Sequence, residues 1–195
     1  MPGATPIYGF PYPDPSDLVA NYPALGQQLA EDVETEIAAS SKISQVLSTA
    51  KTDVFSTNST SFVDVTGLSV TITPSSATST ILIFADVKIG NATAVGAFVR
   101  LMRDSTAIYI GDTAGSRTRA TYSTADDPSS QWIYQGAGIF LDSPATTSAT
   151  VYKIQMSSEV SPNTGTVYLN SSGEDLNSAD FARTASSITV MEIKA

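Results

Sequence analysis

Two pairs of adjacent carboxylates, Asp126-Asp127 and Glu174-Asp175, are the groups in this chain best suited to acid–base chemistry. Glycoside hydrolysis takes two carboxyls roughly 5–9 Å apart across a cleft, one of them with a raised pKa. Sequence neighbours seldom meet that geometry. Cysteine and histidine are both absent. The chain therefore has no thiolate nucleophile, no disulfide, no Ser-His-Asp triad and no imidazole metal ligand. The expectation is a protein that is not an enzyme and takes no cofactor. Glu174, Asp175, Asn177 and Asp180 offer calcium-type oxygens. They lack the Gly and distal Glu of an EF-hand loop, so no metal site is assigned.

Recognition chemistry is better represented. The polar stretch 111–130 carries Arg117, Arg119, Tyr122, Asp126 and Asp127, and leads into Trp132 and Tyr134. Long connections in compact domains are often functional, and aromatic faces beside hydrogen-bonding side chains suit a saccharide. The competing reading is a surface loop, part of it strand, with Trp132 in the core.

The elements that would position this loop are strands. From Asp53 onward apolar residues recur with a period of two. Phe62, Val65, Leu68, Val70 and Ile72 mark two short strands around Thr66-Gly67. Ile81, Ile83, Ala85, Val87 and Ile89 share one face, and Leu82 and Phe84 on the other predict that the start of this strand is buried on both sides. Val95, Ala97, Val99 and Leu101 alternate with Phe98, Arg100 and Met102. Further strands follow over 107–110, 131–141, 151–156, 167–169 and 188–193, with turn signals such as Arg103-Asp104-Ser105 and Ser161-Pro162-Asn163 between them. About nine strands with no helical stretch between them predict an antiparallel β-sandwich or jelly roll over 53–195. The last strand, running to Ile193, is expected to be tied into a sheet.

The first 41 residues differ in kind. They hold six of the ten prolines, six acidic residues and no Lys or Arg. Residues 1–22 read as an extended, proline-rich arm, since each proline fixes φ and removes a donor. A free linker does not normally carry Ile7, Tyr8, Phe10, Tyr12, Leu18 and Tyr22. The arm is read as a strap laid in a partner's groove or folded back on its own body. Residues 23–52 read as one short helix and a connector. Leu25, Leu29, Val33 and Ile37 form an apolar stripe at four-residue spacing, which is not a heptad. A helix this short must pack on something: its own body, sister chains or a docking partner.

Net charge is −9, which disfavours nucleic acid, whose phosphates need clustered Lys and Arg. No basic-then-apolar leader and no apolar run near 20 residues is visible, so a soluble, cytosol-made chain that does not enter a membrane is expected.

Several segments resemble known virion modules. Ser61-Phe-Val-Asp-Val-Thr-Gly-Leu-Ser-Val-Thr-Ile-Thr-Pro74, Ser79-Thr-Ile-Leu-Ile83, Val99-Arg-Leu-Met-Arg-Asp104 and Ser187-Ile-Thr-Val-Met-Glu-Ile193 resemble β-sandwich modules of tailed-phage appendage proteins. Pro6-Ile-Tyr-Gly-Phe-Pro-Tyr-Pro13 with Ala24-Leu-Gly-Gln-Gln-Leu-Ala-Glu-Asp-Val33 is similar to N-terminal attachment segments of actinobacteriophage tail-fibre and minor structural proteins. The resemblance implies a homotrimer on the virion surface, held to other virion proteins by its arm, with the β head outward, where the polar loop would meet a host glycan. The short helix fits a spike or short fibre, or a capsid decoration protein, better than a long fibre.

Overall fold

Side chains of a strand point alternately to opposite faces, so the period-two stretches can each bury one face and wet the other. The computed structural model describes residues 3–4, 9–12, 22–40, 42–92, 95–125, 131–159, 165–174 and 176–194. The chain divides into two units, Met1–Lys42 and Ile43–Ala195.

In the first unit, the two-residue strands β1 (Gly3–Ala4) and β2 (Pro11–Tyr12) pair antiparallel, Gly3 opposite Tyr12. Helix α1 spans Tyr22–Ser40. Pro23 lies in its first turn, where a missing N–H leaves no hydrogen bond unmade. Gln27 donates to Glu31 at 2.8 Å and Gln28 to Asp32 at 2.9 Å, each one turn apart. All four helix acids sit beyond residue 30, and the last turn carries no base. That distribution opposes the helix dipole and leaves the helix dependent on packing.

The second unit is a β-sandwich. Its strands are β3 (Ile43–Lys51), β4 (Phe55–Thr57), β5 (Val63–Ile72), β6 (Thr80–Asn91), β7 (Ala97–Arg103), β8 (Thr106–Ile108), β9 (Tyr122–Ser123), β10 (Ile133–Asp142), β11 (Thr150–Ser158), β12 (Val167–Leu169) and β13 (Ser186–Ile193). One sheet runs β3-β13-β6-β10, with β12 and β4 continuing beside the far end of β6. The other runs β5-β11-β7, and β8 and β9 share the outer edge of β7. Every pairing is antiparallel.

The inner faces meet in one apolar core. β6 supplies Ile81, Ile83, Ala85, Val87 and Ile89, as its alternation predicts. β7 and β11 answer with Ala97, Val99, Leu101, Tyr152, Ile154 and Met156, and β13 adds Ile188 and Val190. Each large side chain removed from water in this way contributes about 1.5–3 kcal/mol.

Three expectations are corrected. Residues 43–51, read as connector, form β3, an edge strand registered on β13 from Ser186↔Lys51 to Ile193↔Ile43. Ile43, Val46 and Leu47 stay exposed there, which is why no alternation betrays the strand. The two short strands around Thr66-Gly67 are a single strand, β5, in which residues 65–68 bulge opposite Ile154. Gly67 takes φ +80° at that bulge, a backbone state that glycine adopts without steric cost. Finally, the start of β6 is fully buried on one face only: on the other, Phe84 remains 36% exposed.

Candidate functional site

The loop that follows β8 is held along the outer edge of β7. It leaves through Tyr109, whose φ of 51° turns the chain out of the strand. The Tyr109 ring stacks on Phe140, with centroids 5.0 Å apart. The loop returns through two threonines that complete the edge of β7 with their side chains. Thr121 N–H donates to the Val99 carbonyl at 2.8 Å, while Leu101 N–H donates to Thr121 Oγ1 at 3.0 Å. Thr124 repeats the pattern: its N–H donates to Ala97 O at 2.9 Å, and Ala97 N–H to Thr124 Oγ1 at 2.8 Å. The loop's own neck is closed by Gly111 N–H on Ala120 O, and by Arg119 Nε on Gly111 O at 2.6 Å.

Between neck and sheet lies an open depression of about 430 Å³, lined by Phe98, Asp112, Arg117, Arg119 and Tyr122 among others. Phe98 alternates with buried Ala97 and Val99, so its ring faces outward as the floor. Burial pushes the Tyr122 hydroxyl up, so it remains a donor across the ordinary pH range. The set combines two guanidinium groups, a carboxylate and an aromatic face, while Tyr122, opposite inward-facing Val99, packs its ring on the core beside Gly136. Such a set can hydrogen-bond and stack on a polar ring.

Of the residues read as a glycan loop, Arg117, Arg119 and Tyr122 are therefore brought together. Trp132 does not line the depression. It stands 60% exposed, tilted against Tyr134 with centroids 6.5 Å apart, so it is not a core residue either. Asp126 and Asp127 lie outside the described residues. Phe98 and Asp112 were missed as lining residues. The outward phase of Phe98 in its strand was the signal available for it.

The second candidate surface is in the first unit. Phe10, Val33, Glu36, Ile37 and Ser40 line a depression of about 230 Å³, so the arm meets the C-terminal half of its own helix at Phe10. The stripe is otherwise thinly covered: Leu25 and Val33 are half-buried, but Leu29 is 39% and Ile37 65% exposed. Tyr12 and Tyr22 are exposed as well. Ile7, Tyr8 and Leu18 lie outside the described residues.

No family model and no curated protein sequence matches this chain. Among solved structures it is similar to the infectious bursal disease virus VP2 subviral particle, with TM-score 0.39 and 11% identity over 77% of this chain. It is also similar to infectious bursal disease virus Gx strain, with TM-score 0.37 and 13% identity. The alignments cover 41% and 37% of those chains, so this chain spans about two fifths of their length. Likeness at that level carries no argument about function.

Other chemistry-bearing residues resolve into structural roles. Asn170, which opens an Asn-Ser-Ser sequon, is fully buried at φ 64°. Its amide donates to Lys51 O at 2.8 Å and Asp53 O at 3.1 Å, and its Oδ1 accepts from Ser186 at 2.6 Å. It ties β3, β12 and β13 together and is closed to modification. Glu174 and Asp180 are exposed, and no acidic cluster of metal-binding size occurs among the described residues. No helix of the described residues is long and apolar enough to cross a membrane.

Proposed function

We propose that this chain is a non-enzymatic virion structural protein of a tailed phage: a short homotrimeric surface appendage, anchored through its N-terminal arm and helix, with the β-sandwich presented to the host surface. The observation that carries the reading is the uncovered stripe of α1. A 19-residue helix whose acids oppose its dipole is marginal alone. Leu29 and Ile37 on its surface call for a further apolar partner. Sister helices and a virion socket meet that need, and the resemblance of residues 6–37 to phage attachment segments supports both.

The depression holding Arg117, Arg119 and Tyr122 supports a glycan-binding role for the head. Only residues 41 and 42 separate α1 from β3, so no shaft lies between anchor and head. That favours a short spike, and it equally suits capsid decoration.

The test is incorporation of a full-length L29D/I37D variant into particles. Loss from particles, with a normal strand signal in circular dichroism, is the expected result. Wild-type loading would remove the anchor reading. Copy number then separates the two virion roles: a handful of trimers marks an appendage, and hundreds of copies mark decoration.

A further inference from the structure

The outer face of the six-stranded sheet carries an apolar surface that the head itself does not cover. Register fixes its make-up. Leu141 of β10 lies opposite Leu82 of β6, Leu82 opposite Met191 of β13, and Met191 opposite Val46 of β3. One row of four apolar side chains thus crosses four strands. The next row along reads Ile139, Phe84, Thr189 and Ser48, and on the other side Ile193 lies opposite Ile43. Exposure is high for groups of this kind: Ile139 63%, Leu141 52%, Val46 51% and Ile43 50%. The first charged residues on the face, Asp86 and Lys88, come further along β6 and pair with each other.

We infer that this face is a self-association surface, whose occupant is the same face of further copies of this chain. Three observations select that occupant. All four strands lie side by side over Ile81–Asp86 of β6, so about 4.8 Å per strand and about 3.3 Å per residue make a plane of roughly 19 by 20 Å. That is about half of the ~800 Å² per partner of a standard protein interface, too broad and flat for a small ligand and suited to one contact of a symmetric assembly. The chain carries a net charge of −9, and the apolar rows are a part of its surface where two copies can meet without opposing like charges. Lastly, only two residues lie between α1 and β3. In the proposed trimer, on which this step rests, helices that gather would hold their β3 strands at high effective concentration.

The experiment is light scattering on full-length protein across a concentration series, with circular dichroism as a folding control. The wild type is expected to be oligomeric at micromolar concentration. I139K/L141K on β10 and, separately, V46K on β3 are expected to dissociate it at least 100-fold more readily with an unchanged strand signal in circular dichroism. These side chains are half exposed or more, so the isolated fold tolerates the change. L29D/I37D in the helix is run alongside. If it dissociates the oligomer while the sheet-face variants keep wild-type mass at every concentration, the sheet-face proposal is overturned and the helix anchor stands. A monomeric wild type overturns the proposal as well, leaving the face to the chain's own helix or to a different virion protein.

Discussion

The Tyr152 hydroxyl donates a 2.6 Å hydrogen bond to Asp142 Oδ2, and this bond joins the two sheets of the sandwich. Asp142 ends β10 in one sheet, and Tyr152 lies on β11 in the other. Arg103 of β7 grips the same carboxylate with Nη1 at 2.9 and 3.0 Å. Burial and the Asp142 carboxylate together push the Tyr152 phenol up, so it stays a donor. Removing it leaves a largely buried carboxylate one partner short. Y152F is therefore expected to cost about 1.5–3 kcal/mol, read as a lower urea midpoint at unchanged slope. D142N, which also weakens the Arg103 contact, is expected to cost more.

Glu192 makes the stability of the head depend on pH. Its side chain has no solvent exposure. Ser75 N–H and Oγ donate to it at 2.7 and 2.6 Å, and Gln45 Nε2 at 2.6 Å. Burial alone would raise this carboxyl, but these donors outweigh burial and hold it well below the usual carboxylate range. A carboxyl lowered by folding stabilises the native state above its unfolded value, about 4.3, and that contribution fades as pH falls toward the folded value. E192Q is expected to cost ~2 kcal/mol at pH 7. The gap to wild type should narrow steadily from about pH 5 downward. A gap constant from pH 7 to pH 3 in urea unfolding would contradict this role.

How far these features are legible in the sequence follows from their range. β6 and β13 are readable because their alternation coincides with burial on one face. β3 is not, because its pairing with β13 comes from the other end of the chain and its own apolar residues stay exposed. The second apolar phase of β6 was visible, and predicted a covering layer; the head supplies none, and the surface it leaves is the proposed interface. Arg117, Arg119 and Tyr122 share one loop and could be grouped by proximity. The Tyr152–Asp142 link and the threonines that complete the edge of β7 depend on tertiary contacts that no local pattern encodes.

Two glycines should respond in opposite directions to the same substitution. A Cβ on Gly90 would stand 2.1 Å from Ser171 O and 2.9 Å from Ser172 Cα, both backbone atoms tied into the end of the sheet. G90A is expected to destabilise by more than about 3 kcal/mol or to prevent folding, because neither neighbour can rotate away. A Cβ on Gly26 in α1 meets nothing within 4 Å. G26A is expected to strengthen the helix by about 0.5–1 kcal/mol through lower backbone entropy in the unfolded chain. Hydrogen exchange across residues 22–40 reads that gain directly.

The loop depression yields the last prediction. Arg117 and Arg119 are exposed, and Arg119 ties the loop's neck through its Nε on the Gly111 carbonyl. R117A should therefore leave the fold untouched, within about 0.5 kcal/mol. Asp112 is exposed too, so D112A likewise removes only a lining side chain; Tyr122 turns its ring to the core beside Gly136 and is left alone. If the head recognises a host glycan through this depression, R117A and D112A each weaken adsorption of particles to host cells about tenfold or more. Their melting temperatures stay within a degree or two of wild type. W132A, outside the depression, serves as the control and is expected to leave adsorption unchanged. Equal losses for all three would move the recognition surface to the neighbouring Trp132–Tyr134 face, and no loss for any of them would leave the head a structural element alone.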